Sequence, residues 1–464
     1  MRERQSAAST GAAAHIRTPF LGAALIAIAT TACSAPPAPP ASEPAAPATP
    51  DVSVLPPVHA APPAADGGAE AAPPVLAGID VLRADGAGPL AGLTVGLITN
   101  HTGVTRDGRS TIDALVNMGG VRLTALFGPE HGIRGAAQAG ERVEGGRDPA
   151  TGLPVYSLYD RTRVPTPEEM AGMDALVFDM QDVGARFYTY VWTMALAMEA
   201  AGQAGLRFVV LDRPNPITGL HVQGNVLDTA FASFLGMYPV ATRHGLTAGE
   251  LARMIVGEWG VDVDLEVVPA RNWTRDAWFD ETGLTWVPPS PNMPSLESAL
   301  HYPGTCLFEQ TSLSVGRGLP TAFQQIGAPW LDHEELARRM NALALPGVRF
   351  EVMTFPAVRP ESQSHLGERV PGERRGLRFV VTDRSVYDPV AASVHALVEI
   401  RRMHPDRLEF AGNFDAIAGT DRLRTMLLAG AGADEIMAPW PSARAQYERR
   451  REPYLLYPPR RTTD

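Results

Sequence analysis

From Leu93 onward the chain alternates short, continuously apolar runs with stretches of helical periodicity. Leu93–Thr99, Arg122–Phe127, Ala175–Met180, Arg207–Asp212 and Asp264–Pro269 are compact Val/Leu/Ile/Phe runs bounded by polar residues, Gly or Pro. Such runs predict strands buried on both faces. Between them, helical patterns center on Ser110–Met118, Thr166–Met173, Arg186–Gly202 and Thr247–Trp259. This βαβα rhythm predicts an α/β fold with a mostly parallel, doubly wound sheet, whose ligand crevice lies beyond the carboxyl ends of the strands.

The residues that follow the strands therefore carry the information. They are Asn100-His101-Thr102-Gly103, Gly128-Pro129-Glu130-His131-Gly132, Asp179-Met180-Gln181-Asp182-Val183-Gly184 and Asp212-Arg213-Pro214-Asn215-Pro216. Four strand ends thus deliver carboxylates, amides, imidazoles and a guanidinium to one rim. No Gly-x-Gly-x-x-Gly follows the first strand, which argues against a dinucleotide site, and no cofactor is expected. After Pro288 the rhythm changes. A rigid Pro-rich crossing (residues 288–294) leads into Tyr302–Glu309, and helices around His333–Ala344 and Pro389–Met403 alternate with strands Val348–Phe355 and Gly376–Thr382. A first domain over 77–288 and a smaller α/β or α+β domain over 289–464 are expected, with a ligand site at their interface.

The N-terminus reads as an address. Arg2, Arg4 and Arg17 precede an apolar run from Pro19 to Ala29 that ends in small residues before Cys33. This is a secretory signal over 1–33, and its run is shorter than the ~20 apolar residues that span a bilayer. The string Thr30-Thr31-Ala32-Cys33 resembles a bacterial lipobox, with Cys33 as the lipidated residue, although Thr30 departs from the Leu usual there. Residues 34–76, almost entirely Ala, Pro, Gly, Ser and acidic, predict an extended tether. The expected location is the cell envelope, after export and held by a lipid anchor, in the periplasm or at the outer membrane if the host has two membranes. Only one other cysteine exists, Cys306, so no disulfide is expected. A net charge of -11 without a basic stripe excludes nucleic acid as a partner.

Several of these strings, together with Pro291-Asn292-Met293-Pro294, Tyr302-Pro303-Gly304-Thr305-Cys306-Leu307-Phe308-Glu309 and Val315-Gly316-Arg317-Gly318, resemble the bacterial exo-β-N-acetylmuramidases of the NamZ type. The resemblance runs from about Gly78 to Tyr457. It implies a Rossmann-like domain plus a smaller C-terminal domain with the active site between them, and release of terminal N-acetylmuramic acid from peptidoglycan fragments in cell-wall turnover. The family's catalytic glutamate falls on Glu130.

Glycoside hydrolysis needs an acid to protonate the leaving oxygen and a second group at the anomeric carbon. Glu130, at a strand end, suits the acid role; its structural alternative is a loop cap or a pair with Arg134. For the second group, Asp182 and Asp179 lead, with Asp212 and Glu309 also open. The sugar's own acetamide is a further route, oriented by Asp182, Asn292 or Tyr190. The lactyl carboxylate that distinguishes muramic acid calls for an arginine fork, with Arg317, Arg186 and Arg213 as candidates. Asn100, His131, Gln181, Tyr190, Asp212, Asn292 and Glu309 complete the candidate substrate contacts. His131 with Asp179 or Asp182 could instead hold a metal, but a metal site needs three or four convergent ligands and no such spacing exists, so none is expected. A peptidoglycan-binding protein of the same fold without catalysis is the alternative function.

Overall fold

Each apolar run forms its strand because it is buried from both sides. The strands are β1 (Thr94–Thr99), β2 (Arg122–Gly128), β3 (Gly146–Arg147), β4 (Pro154–Ser157), β5 (Ala175–Asp179), β6 (Arg207–Leu211), the hairpin β7 (Gln223–Val226) and β8 (Ala241–Arg243), and β9 (Asp264–Val268). The main sheet has seven strands in the order β3-β4-β2-β1-β5-β6-β9, parallel throughout except for the short antiparallel β3 at the edge. The doubly wound expectation is borne out. The structure, a computed structural model, describes residues 73–134, 145–159, 162–357, 365–369 and 372–460. The signal, Cys33 and most of the tether expected from the sequence lie outside the described residues. The last tether residues are part of the fold: Val75 is buried, and Leu76 pairs through its backbone with Arg271.

Alternate strand residues serve two cores, which is why helices sit on both faces. Val95, Leu97, Val177, Val209 and Leu211 pack with α1 (Gly78–Ala84) and α2 (Thr111–Val116). Ile98, Phe127, Leu176, Phe178 and Val210 pack with α3 (Tyr190–Gln203) and α4 (Ala248–Trp259). Helix α4 begins as its sequence predicts, with a capping box in which Thr247 and Glu250 satisfy each other's backbone N–H. Helix α3 is buried almost all round, so it is the layer between the sheet and the rest of the chain. It starts four residues later than its apolar pattern suggests. Gly184 takes a left-handed φ of 79° and Ala185 bridges to Arg243, which holds Ala185 and Arg186 against the hairpin. The helix expected over Thr166–Met173 is a series of turns.

The smaller C-terminal domain begins with α5 (Leu296–Thr305). It contains a three-stranded antiparallel sheet in the order β10 (Gln325–Ala328), β12 (Arg374–Val381), β11 (Val348–Phe355). Helices α6 (His333–Ala342), α7 (Leu366–Arg369), α8 (Pro389–Met403), α9 (Phe414–Ala418), α10 (Arg422–Leu428), α11 (Ala433–Met437) and α12 (Trp440–Arg451) complete it. The core around α3 continues into Leu377, Phe379 and Val394 of this part without a break. The chain then returns to the first part. Arg451 donates to the carbonyl of Gly245 at 2.7 Å, and the Tyr457 hydroxyl donates to Asp212 at 2.6 Å.

Arg186 is fully buried, and burial pushes its guanidinium down to about 9. It donates to the carbonyls of Asn225 and Val240 around the hairpin and to those of Ile417 and Ala418 in α9, at 2.9–3.2 Å. The recognition role expected of Arg186 is thereby corrected: both of its Nη groups are spent on backbone, and the side chain lies in the interdomain packing rather than on the cavity wall. Arg186→Met should strand these carbonyls and lower stability by about 3 kcal/mol. Urea unfolding checks this; a lower midpoint at constant m-value is expected, and an unchanged midpoint would contradict it.

Candidate active site

A cavity of about 290 Å³ lies between the end of β2, the start of α3 and the C-terminal domain. Its first wall is the turn after β2. His131 and Gly132 both take left-handed φ values, 71° and 70°, and the Gly132 N–H closes on the carbonyl of Pro129 at 2.9 Å. A non-glycine residue held there costs about 1–3 kcal/mol, a strain found where the surroundings over-determine a site. The turn presents Glu130, half-buried, to the cavity. Thr189, which caps α3, donates its hydroxyl to Glu130 Oε2 at 3.0 Å. Tyr159 also hydrogen-bonds Glu130; burial and then the Glu130 charge push its phenol well above its ordinary value, so it stays a donor.

The second wall is aromatic. Phe187 and Tyr188 precede α3, Tyr302 comes from α5, and Phe323 precedes β10. Tyr302 meets Phe187, Tyr188 and Phe323 edge-on, with centroids 5.2, 5.8 and 4.7 Å apart. Phe323 is itself held at a φ of 67°.

The third wall is ionic. Glu309 and Cys306 lie on the turn that continues α5, and Arg317 on the following loop. Glu309 Oε1 pairs with Arg317, and Oε2 accepts from the Cys306 thiol at 3.4 Å. Burial alone would raise the Glu309 carboxyl; Arg317 and His365 outweigh it and hold the group below its usual value. Burial lowers His365 and raises the Cys306 thiol. The Nε–H of Arg317 is buried without a partner among the described residues. The glycines beside Arg317 serve protein packing rather than a ligand. Gly318 donates to Asn292 Oδ1 at 2.8 Å, and a Cβ on Gly316 would strike Gln325.

Of the residues read from sequence, the structure brings Glu130, His131, Asn292, Glu309 and Arg317 to this cavity. It does not bring the others. Asp179, fully buried, is clamped by Arg213 at 2.5 and 2.9 Å and by the Thr111 hydroxyl, so the two strand-end charges neutralize each other. Asp212, pushed up to about 6 by burial, caps α4 through Thr247 and Gly249 and receives Tyr457. Asn100 folds its own turn by accepting from Thr102. Gln181 donates to the carbonyls of Asp182 and Pro214 and lines, with Arg213, a separate void of about 20 Å³. Asp182 accepts from Gly184 at 2.7 Å and stands 3.5 Å from His244. Tyr190 turns away and donates to the carbonyl of Pro289, leaving its neighbor Tyr188 in the cavity. Sequence reasoning missed Tyr159, Thr189, Tyr302, Cys306, His365 and Asn413. Tyr302 and Cys306 sit in a distinctive string; Tyr159 and Asn413 carry no local signal. Among the described residues no three His, Cys, Asp or Glu side chains are placed to hold a metal ion.

Known proteins place this architecture. Residues 95–297 match the model of the N-terminal domain of exo-beta-N-acetylmuramidase NamZ, and residues 300–457 match that of its C-terminal domain. The chain is 44% identical over 387 residues to the peptidoglycan beta-N-acetylmuramidase NamZ of Bacillus subtilis (strain 168), covering 83% of this chain and 92% of that protein. Two DUF1343 family proteins of Bacteroides fragilis NCTC 9343, known from crystal structures, share the fold. One has a TM-score of 0.76 at 36% identity, covering 82% of this chain and 99% of the other; the second has 0.67 at 30%, covering 83% and 99%. With both domain models spanning nearly all of the packed chain, and the strand-end and crossing strings in place, the protein belongs to the NamZ family of exo-beta-N-acetylmuramidases.

Proposed function

We propose that the protein hydrolyzes the β-glycosidic bond of a terminal, non-reducing N-acetylmuramic acid in peptidoglycan fragments, with Glu130 as the general acid. The observation that carries this reading is Glu130 itself. It is a half-buried carboxyl turned into the cavity by a strained turn and held by Thr189 and Tyr159. Such an acid delivers its proton to the leaving oxygen as the bond to the anomeric carbon breaks. The aromatic wall suits the apolar face of a sugar ring. The free Nε–H edge of Arg317 suits the lactyl carboxylate.

For the opposite face of the sugar, both oxygens of Glu309 are already engaged, by Arg317 and Cys306. This favors the substrate's own 2-acetamido group as the attacking nucleophile, with Glu309 fixing Arg317. Water then opens the cyclic intermediate, and the product retains its configuration. The family's reaction and the signal-like first 33 residues together support export, with Cys33 as a lipid anchor and residues 34–72 as reach toward the wall. At ~3.1 Å per residue, an extended Pro-rich segment of that length passes 100 Å.

Glu130→Gln should lower kcat/KM on a muramyl disaccharide by about 10³-fold, with less effect on an aryl muramide whose leaving group needs no proton. A full rate in the mutant would remove Glu130 from the acid role. Tight binding of muramyl sugars without turnover by the wild type would instead mark a binding protein. Arg317→Lys should reduce kcat/KM for muramides about tenfold more than for the matching glucosaminides, since only the former carry the carboxylate. Parallel kinetics on the two aryl glycosides measure this ratio; an equal loss on both would contradict the assignment. Proton NMR of the first-formed sugar reports configuration: β-anomer is expected, and α-anomer would overturn the acetamide route.

A further inference from the structure

Next to the cavity residue Tyr159, whose ring meets that of Phe234, lies an open groove of about 330 Å³ lined by Arg163, Leu196, Ala232, Ser233, Phe234 and Met237. Its size falls in the ~300–1,000 Å³ range of small-ligand sites. We propose that this groove is the subsite for the leaving sugar, the N-acetylglucosamine on the far side of the cleaved bond, with Arg163 and Phe234 as its specificity residues. The inference rests on the muramidase reading and adds to it where the aglycone goes.

Direction comes first. The general acid protonates the leaving oxygen, so the leaving sugar lies on the acid's side of the cavity. Tyr159 is bonded to Glu130 and lines the cavity, and its ring stands 6.3 Å from that of Phe234 in the groove. Tyr159, a cavity residue, thus touches Phe234 and Arg163, which line the groove. Leu235, next to Phe234, lines the cavity, so one turn contributes to both spaces.

That turn is preformed. Ser233 and Gly236 exchange both backbone hydrogen bonds, at 2.9 and 3.0 Å, and the Ser233 hydroxyl accepts from the Leu235 N–H. A Cβ on Gly236 would press on the buried stem of Arg186 at 3.1 Å, so the turn sits directly on the clamp between the two domains. The groove thus has a floor that does not need ordering when a ligand arrives, which lowers the cost of binding.

Chemistry selects the occupant. The guanidinium of Arg163 lies over Phe234, 4.1 Å from the ring centroid, and 5.6 Å from the centroid of Tyr159. Arg163 is exposed and has no hydrogen-bond or ion-pair partner among the described residues. An arginine stacked on an aromatic face keeps its edge N–H groups for acceptors in the plane. Sugar hydroxyls and an acetamide carbonyl are such acceptors, while Leu196 and Met237 offer apolar surface to the ring's C–H face.

The test compares two substrates with the same muramyl group, N-acetylmuramyl-β-1,4-N-acetylglucosamine and 4-nitrophenyl N-acetylmuramide, in the full chain. Arg163→Met keeps the stem and removes the N–H groups; Phe234→Ala removes the platform. For each, the ratio of kcat/KM on the disaccharide to that on the aryl muramide should fall about tenfold from its wild-type value, mainly through KM. A constant ratio overturns the subsite. A loss that appears only when the disaccharide carries a stem peptide also overturns it and assigns the groove to the peptide. Hydrolysis of neither substrate by the wild type overturns the muramidase reading, and the subsite with it.

Discussion

The site depends on one buried cation. Arg186 has no carboxylate partner among the described residues; its charge is spread over four backbone carbonyls, two at the β7–β8 hairpin and two in α9. A buried charge is tolerated only where hydrogen bonds replace its water. Meeting that requirement locks the parallel-sheet domain to the helical end of the C-terminal domain. Ile417, whose carbonyl accepts from Arg186, also lines the cavity, and the Ser233–Gly236 turn rests on the arginine's stem. The cavity is thus bounded by the clamp that joins the domains.

Around it, the strand ends divide into two kinds. At β5 and β6, Asp179 meets Arg213 and Asp212 meets α4 and the C-terminal strap, so these charges hold the sheet's rim together. At β2 the chain turns sharply through two left-handed residues, and Glu130 leaves the rim for the cavity. The left-handed turn at His131 and Gly132 separates the strand end that faces the cavity from those that hold the rim. The Glu309–Arg317 pair faces it from the other domain, in a wall that the Cys306 thiol and the His365 imidazole complete.

Much of the fold was legible in the sequence because short apolar runs bounded by Gly, Pro or polar residues, alternating with helical periodicity, favor strands covered on both faces. The five long strands of the parallel sheet lie within a residue of where Leu93–Thr99 and its counterparts put them. The start of α3 was not, because Gly184 and Ala185 obey the hairpin beside them rather than their own periodicity. The site was half legible. Glu130, Asn292 and Arg317 sit in unusual strings, and the strings converge. Asp179, Asp212, Arg213 and Arg186 carry the same residue types, yet burial forces them onto each other or onto backbone, a partnership set by contacts 34 to 245 positions apart. Tyr159 and Asn413 reach the cavity from loops whose local sequence says nothing of their neighbors.

In the proposed productive complex a terminal muramyl unit occupies the interdomain cavity with its scissile oxygen at Glu130. A crystal structure of the Glu130→Gln protein with a bound muramyl disaccharide tests it most directly. The glycosidic oxygen should lie within hydrogen-bond reach of the amide that replaces the Glu130 carboxyl, and the lactyl carboxylate at Arg317. A sugar bound instead at the rim formed by Gln181 and Arg213, with the cavity between the domains unfilled, would contradict it.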